Sequence, residues 1–373
     1  MPPRAVAAME RTGDVDRWER SRGRLGCRSA RAVYAHRGAS GYRPEHTVAA
    51  YALAIDQGAH VIEPDLVPTR DGVLVVRHEN EISGTTDVAG RPALAGRRTT
   101  RIVDGRAVTG WFTEDLTLEE LRTLRVRERL PDLRPGNASH DGRHGVPTFQ
   151  DVVDLARTSS ARTGRTIAIA PELKHAGHFR SRGLDVEREL VRVLRRNDLD
   201  HPDAPVIVQS FEDDVLRRLA GASRVRKVQL LDRKGRPPDR PGGGSAPSYA
   251  DMGRPQGLRR IAGYAEAVAP HVDLVLPRDR DGRSTIPTTF VDDAHRAGLP
   301  VIAWTLRRED AFLPLACRAG RDPGAPGALQ GFVERLLDLG VDGVFSDNPD
   351  IAVAAVRAFE RGAGPGPTVG DAR

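Results

Sequence analysis

The chain predicts an α/β fold: a (β/α)8 barrel of the TIM type, with an extra β-hairpin arm and an insertion over the C-terminal mouth. Three observations carry that expectation. Strand-like and helix-like segments alternate from Val33 onward, eight of the strand-like segments read as parallel, and polar side chains gather at one end of them. The parallel candidates are Val33–Ala35, His60–Asp65, Thr166–Glu172, Pro205–Ser210, Arg226–Leu231, Val272–Leu276, Pro300–Thr305 and Val341–Ser346. Helical patterns lie between them at Val48–Ala59, Phe149–Thr158, Leu184–Arg196, Leu258–Val268, Thr288–Ala297 and Leu329–Leu339. His36, Asp65, Glu172, Gln209 and Asp347 close or follow such strands, and a barrel places its chemistry at the C-terminal strand ends. A doubly wound sheet gathers function at one crevice and does not account for polar residues on so many strands.

In chain order, Val33-Tyr34-Ala35 delivers His36 and Arg37 to the first strand end, where Gly38 lets the backbone turn. Val48, Ala52, Ile55 and Ala59 then recur at helical spacing, with Pro44 before them and Gly58 at the end. In the run from His60 to Asp65, Glu63 and Asp65 are two residues apart, so the pleat turns both to one face. Two carboxylates on one face of a buried strand repel each other unless a cation lies between them, and an all-oxygen set suits Mg²⁺ or Ca²⁺. Pro64 removes a ladder donor between the two acids and predicts a local bulge. Thr69-Arg70-Asp71-Gly72 is a tight-turn signal. The apolar run Val73–Val76 follows too soon for a helical crossover, so it is expected to fold back antiparallel and carry His78 alongside the acids.

Two segments interrupt the alternation. Asn80–Val146 has to leave by the mouth and is expected to form a lid, with a short helix within Gly110–Leu124 and with Trp111 and Phe112 lining a pocket. Asp232–Gly257, rich in Pro and Gly, is expected to be a flexible loop. The barrel unit spans 32–361. The polar, arginine-rich residues 1–31 and the tail 362–373 are expected to be disordered.

Composition narrows the function. The net charge of +6 is compatible with a phosphate-bearing substrate, but acids are interleaved throughout and no aromatic-basic motif points to nucleic acid. Cys27 and Cys317 are too few for a disulfide framework. No apolar stretch reads as a transmembrane segment or signal peptide, so the sequence as written reads as cytoplasmic; a misassigned start would leave export open. Nothing in the pattern addresses oligomeric state.

The ordered run HRGASGYRPEHT from His36, Gly58 to Asp65 with VIEPD at its end, and TRDG followed by LVVRHE up to Glu79, resembles the glycerophosphodiester phosphodiesterases. PEHT together with the long insertion after Val88 is closer to their periplasmic type than to the short form. The resemblance implies a TIM barrel that uses one divalent cation, Ca²⁺ or Mg²⁺, to hydrolyse a small glycerophosphodiester to sn-glycerol 3-phosphate and an alcohol. It also implies attack by the substrate's own 2-hydroxyl, giving a cyclic phosphate that water then opens. Lysophospholipids or glycerophosphate polymers are the alternative substrates for the same machinery, and a barrel that only binds phosphoglycerol compounds is the non-catalytic alternative.

Residue by residue, His36 and His78 are expected to exchange protons, since imidazole titrates near neutrality; which is acid and which is base stays open. Glu63 and Asp65 are expected to hold the metal, with Glu172 as the third ligand by resemblance. Arg37 is expected to grip phosphate through its planar fork, a salt bridge at the barrel rim being the alternative. Lys174 follows Glu172 on the same face, and by resemblance it faces the phosphate. In a chain with lysine only at Lys174, Lys227 and Lys234, a lysine at this point implies that a compact cation is wanted. Gln209 and Trp304 match family landmarks near the pocket, Trp304 as a wall against the glycerol moiety or as packing. His46 reads equally as a contact or as a polar residue of the first helical turn. Glu79 stands where the family commonly has aspartate, which leaves its role open.

Overall fold

Parallel strands form a ring around an apolar axis. The computed structural model describes residues 31–238 and 247–362. Its strands are β1 (Ala32–His36), β2 (Val61–Glu63), β3 (Asp65–Pro68), β4 (Leu74–Val76), β5 (Thr99–Val103), β6 (Arg106–Gly110) and β7 (Ala168–Ile169). They continue with β8 (Glu172–Leu173), β9 (Ile207–Ser210), β10 (Arg226–Leu231), β11 (Ala267–Pro270), β12 (Ile302–Leu306) and β13 (Gly343–Ser346). One sheet runs β12-β13-β1-β2-β7 and the other β11-β10-β9-β8-β3-β4. Parallel bridges from Ile169 to Val206 and from Val268 to Val301 join the two sheets at both margins, so the barrel closes. Since β2/β3 and β7/β8 are each one interrupted strand, the ring has the eight positions of a (β/α)8 barrel.

The interior of the ring is filled by alternate side chains, among them Tyr34, Ile207, Val228, Ile302 and Phe345, with small Ala168, Ala170, Ala267 and Ala269 between them. Helices pack outside. Val48–Asp56 is capped by Thr47, whose Oγ1 accepts the Ala50 N–H at 3.1 Å. Phe149–Thr163 opens with a Thr148/Asp151 capping box and ends at Gly164 in the left-handed region, at φ 67°. Val186–Arg196, Asp213–Ala222, Leu329–Asp338 and Pro349–Gly362 each turn an apolar stripe to the strands. Among the described residues no helix is long and apolar enough to cross a membrane.

The hairpin arm forms as expected. Leu66, Val67 and Pro68 pair antiparallel with Val76, Val75 and Leu74, and Arg77 N–H donates to the Asp65 carbonyl at 3.0 Å, extending the pairing to the acid. Several other expectations are corrected. The sixth barrel strand is Ala267–Pro270, not Val272–Leu276, whose first residues form a 3₁₀ turn capped by His271. The preceding helix accordingly stops at Ile261, short of Val268. Alanines give Ala267–Pro270 little intrinsic strand character, but it lies inside the ring, where small residues fit. Thr166–Glu172 is not one strand, because Pro171 lacks an N–H and divides it into β7 and β8; Pro64 divides β2 from β3 in the same way.

Trp111 and Phe112 are not among the residues that line the two cavities at the mouth. They are buried within the core, and Trp111 Nε1 donates to the Leu94 carbonyl at 2.7 Å. The insertion carries the helix Leu118–Arg122 behind a Thr117/Glu120 capping box, and also the unforeseen hairpin β5–β6. Asp232–Gly257 is not loop throughout, since Tyr249–Met252 is helical behind Ser248 and Pro255 opens the next helix, with Tyr249 and Met252 buried. Residues 239–246, most of 1–31 including Cys27, and nearly all of 362–373 lie outside the described residues. Cys317 is a free thiol.

Candidate active site

The mouth is built from strand ends. Glu63 ends β2, Asp65 begins β3 and Glu172 begins β8, and each offers a carboxylate oxygen within 4.8 Å of the other two. All three are buried. Gln209, at the same level on β9, donates to Glu63 Oε1 at 3.1 Å, and the Arg37 backbone N–H donates to Glu63 Oε2 at 2.8 Å. Arg37 holds that amide in place with a left-handed backbone, φ 59°. Burial and the neighbouring charges of Asp65 and Glu172 raise Glu63 well above the usual carboxylate range. Burial likewise pushes Glu172 up to about 8, reinforced by Asp65 and opposed by Lys174. Burial acts on Asp65 too, but Lys174 and the hydrogen bond from His46 outweigh it and hold Asp65 well below its usual range. Asp65 Oδ1 has no hydrogen-bond partner although it is buried. Three acids this close, two of them reluctant to ionise and one oxygen with no hydrogen bond and only the Lys174 ammonium 3.9 Å away, fit an oxygen-liganded divalent cation.

Two imidazoles flank the acids. His36 Nδ1 lies 2.6 Å from Asp347 Oδ1, just after β13, and His78 Nδ1 lies 2.5 Å from Glu79 Oε1. A carboxylate can only accept here, so both rings carry the Nδ1 proton and present a bare Nε2. His78 Nε2 is 3.2 Å from Lys174 Nζ, which also donates to Glu172 Oε1 at 2.8 Å. Burial and the Arg37 charge lower His36 to about 4; burial, Arg37 and Lys174 lower His78 to about 3. Both rings are therefore neutral before a substrate arrives.

A cavity of about 300 Å³ opens among these groups, lined by His36, Arg37, Glu63, His78, Glu172, Lys174, Gln209 and Trp304. Asp65 sits behind it. The Arg37 guanidinium faces this space and also pairs with Glu45 at 2.7 Å, so the rim salt bridge and access to the cavity coexist. Trp304 forms a wall, its Nε1 donating to the Ala269 carbonyl at 2.9 Å and its ring edge-on to Phe211. A wider groove of about 770 Å³, shared through Glu172, Lys174, Phe211 and Asp232, continues between β5–β6 and the segment after β10.

Sequence reasoning did not assign several residues now seen at the site. His46, fully buried, lies 2.8 Å from Asp65 Oδ2 and 2.8 Å from the Tyr51 hydroxyl, so it orients Asp65 and does not line the cavity. Asp347 and Glu79 orient the histidines, and Arg129 and Arg134 come from the insertion. Asp347 was visible as a polar residue at a strand end; the two arginines gave no signal in a chain full of arginine.

A closed (β/α)8 barrel thus carries, at its C-terminal mouth, a buried acid triad that could hold a metal ion beside two carboxylate-held histidines. The sequence profile of the glycerophosphoryl diester phosphodiesterase family matches residues 36–351, and the chain belongs to that family. It is 30% identical over 328 residues to a glycerophosphodiester phosphodiesterase of Arabidopsis thaliana, covering 84% of this chain and 82% of that one. It is 28% identical over 356 residues to a glycerophosphodiester phosphodiesterase of Haemophilus influenzae, covering 89% and 92%. The fold matches a solved phosphodiesterase of Oleispira antarctica in complex with the product sn-glycerol-3-phosphate, with a TM-score of 0.56 at 20% identity, over 88% of this chain and 100% of that one.

Proposed function

We propose that this chain hydrolyses small glycerophosphodiesters to sn-glycerol 3-phosphate and an alcohol, with one divalent cation, Ca²⁺ or Mg²⁺, held by Glu63, Asp65 and Glu172, and with His36 and His78 moving the protons. The observation that carries this reading is the gathering of three buried carboxylates within 4.8 Å, one of them with an oxygen that has no hydrogen bond, beside two imidazoles each held at Nδ1 by a carboxylate. The product named in the Oleispira structure supports it.

A cation in that cage supplies positive charge to the phosphate oxygens as negative charge accumulates on them. Arg37 and Lys174, both lining the cavity, add fixed positive charge and orient the phosphate. The negative charge of the incoming phosphodiester favours proton uptake by the imidazole nearer the leaving oxygen. One Nε2 takes the proton of the attacking glycerol 2-hydroxyl as the new P–O bond forms, and the other, which has taken up a proton from solvent on substrate binding, delivers it to the departing alcohol oxygen as the old P–O bond breaks. Water then opens the cyclic phosphate with the roles exchanged. Asp347 and Glu79 keep the Nδ1–H tautomers in place and stabilise whichever ring becomes cationic. Trp304 bounds the cavity on the side of the carbon skeleton.

Glycerol 3-phosphate release from glycerophosphocholine is the test. Activity is expected to vanish in excess chelator and to return with Ca²⁺ or Mg²⁺; full turnover in chelator refutes the reading.

A further inference from the structure

We propose that the insertion 80–146 is part of the catalytic apparatus, because Arg129 and Arg134 are positioning residues that fix the two carboxylates behind the histidines. This rests on His36 and His78 carrying the proton transfers. From one short stretch of the insertion, each arginine reaches a different histidine's partner. Arg129 Nη1 and Nη2 donate to Glu79 Oε1 and Oε2 at 3.0 and 2.5 Å, and its Nε and Nη2 donate to Glu45 Oε2 and Oε1 at 2.9 and 2.7 Å. Arg134 Nη2 donates to Asp347 Oδ2 at 2.6 Å, while its Nε donates to Glu309 Oε1 at 2.6 Å and its Nη1 to the Ser40 carbonyl at 3.0 Å.

Two continuous relays result. One runs Arg37–Glu45–Arg129–Glu79–His78, the other Glu309–Arg134–Asp347–His36. A side-chain carboxylate is free to rotate about its last bond, and an imidazole held by it inherits that freedom. The Arg129 guanidinium fork, bonded to both Glu79 oxygens, removes it there, while Asp347 Oδ2 is fixed by single N–H donors from Arg134 and from Arg307 Nε at 2.8 Å. The fork also keeps the carboxylate ionised, so it stays an acceptor when the imidazole gains a proton. Arg134 is almost wholly buried, and such a cation is retained only where several acceptors compensate its desolvation; here Asp347, Glu309 and a carbonyl do so. Glu79, longer by a methylene than the aspartate of the family pattern, spans both His78 and Arg129.

The experiment uses the full chain with cation and two substrates: glycerophosphocholine and glycerophospho-p-nitrophenol, whose good leaving group departs without a proton donor. Arg129→Lys and Arg134→Lys are each expected to lower kcat on glycerophosphocholine about 10–100-fold. KM, cation affinity and Tm should stay near wild type. The variant behind the acid histidine is expected to recover most of its loss on the p-nitrophenyl substrate, while the other does not. Arg129→Lys should add little further loss in a Glu79→Gln background. Wild-type kcat in both variants, or equal losses on both substrates for both, overturns the proposal. If the arginine variants are active while His36→Ala and His78→Ala are dead, only the relay fails; if the histidine variants are active, the underlying reading fails instead. Should Arg134→Lys not fold, imidazole ¹⁵N spectra of the wild-type enzyme decide: both rings are expected as Nδ1–H tautomers, and Nε2–H on His36 or His78 counts against the relay.

Discussion

The floor and the mouth of the barrel use the same strands to opposite ends. Lower down, Tyr34, Ile207, Val228, Ile302 and Phe345 interdigitate in one apolar cluster, with the Tyr34 and Phe345 rings 4.7 Å apart. At the upper ends Glu63, Asp65 and Glu172 are just as buried but repel one another. Burial therefore stabilises one end of a strand and strains the other, and the strain is concentrated where a cation and a phosphate are expected to relieve it.

The sharpest way to break this contrast is to remove charge at the mouth. Glu172→Gln is expected to lower kcat/KM on the order of 10³-fold while leaving the Tm of the chelated protein equal or higher at about pH 9, where a repelling carboxylate is gone. A large fall in Tm would show that the acids stabilise the mouth and that the contrast is false. His36→Ala and His78→Ala come next, each expected to cost about 10²–10⁴-fold in kcat with folding retained, as read by steady-state kinetics and circular dichroism.

On the floor the signs reverse. Ile302→Ala should cost about 2–5 kcal/mol of unfolding free energy in urea titrations, with the turnover of the folded enzyme almost unchanged. If turnover falls as far as stability does, floor and mouth are not separable. The smallest effect concerns pH. The Glu172 carboxyl titrates at 4.5 when unfolded and at about 8 when folded without a cation. The native state thus holds a proton that the unfolded chain releases, and stability of the chelated protein declines as pH rises from 4.5 to about 8. A cation replaces that proton, so the Tm gained on adding Ca²⁺ or Mg²⁺ should be larger by a few degrees at about pH 9 than at about pH 5.5. An equal gain at both values contradicts this.

How much of this could be read beforehand depended on contrast. Strands rich in Val and Ile, such as those ending at Ser210 and Ser346, stand out from helical surroundings, whereas Ala267–Pro270 does not, and the more apolar Val272–Leu276 is the stronger strand signal. Lys174 stood out because lysine is rare. Arg129 and Arg134 were invisible for the converse reason, and their partners Glu79 and Asp347 are adjacent to them only through the fold. Trp111 and Phe112 misled because aromatic residues serve equally as pocket walls and as anchors, and periodicity does not separate the two.

Pro64 has an effect beyond its own strand. It lies on the seam between the two sheets: Glu63 belongs to the half-shell containing β1 and β13, while Asp65 and Glu172 belong to the half-shell containing β9 and β10. An ion held by all three would add a tie across a seam that the chain itself and backbone bonds such as Glu172 N–H to the Pro64 carbonyl and Ile169 N–H to the Pro205 carbonyl already cross. Loading it should slow amide exchange on both sides of the seam together, which makes the rigidity of the whole rim a reporter of occupancy.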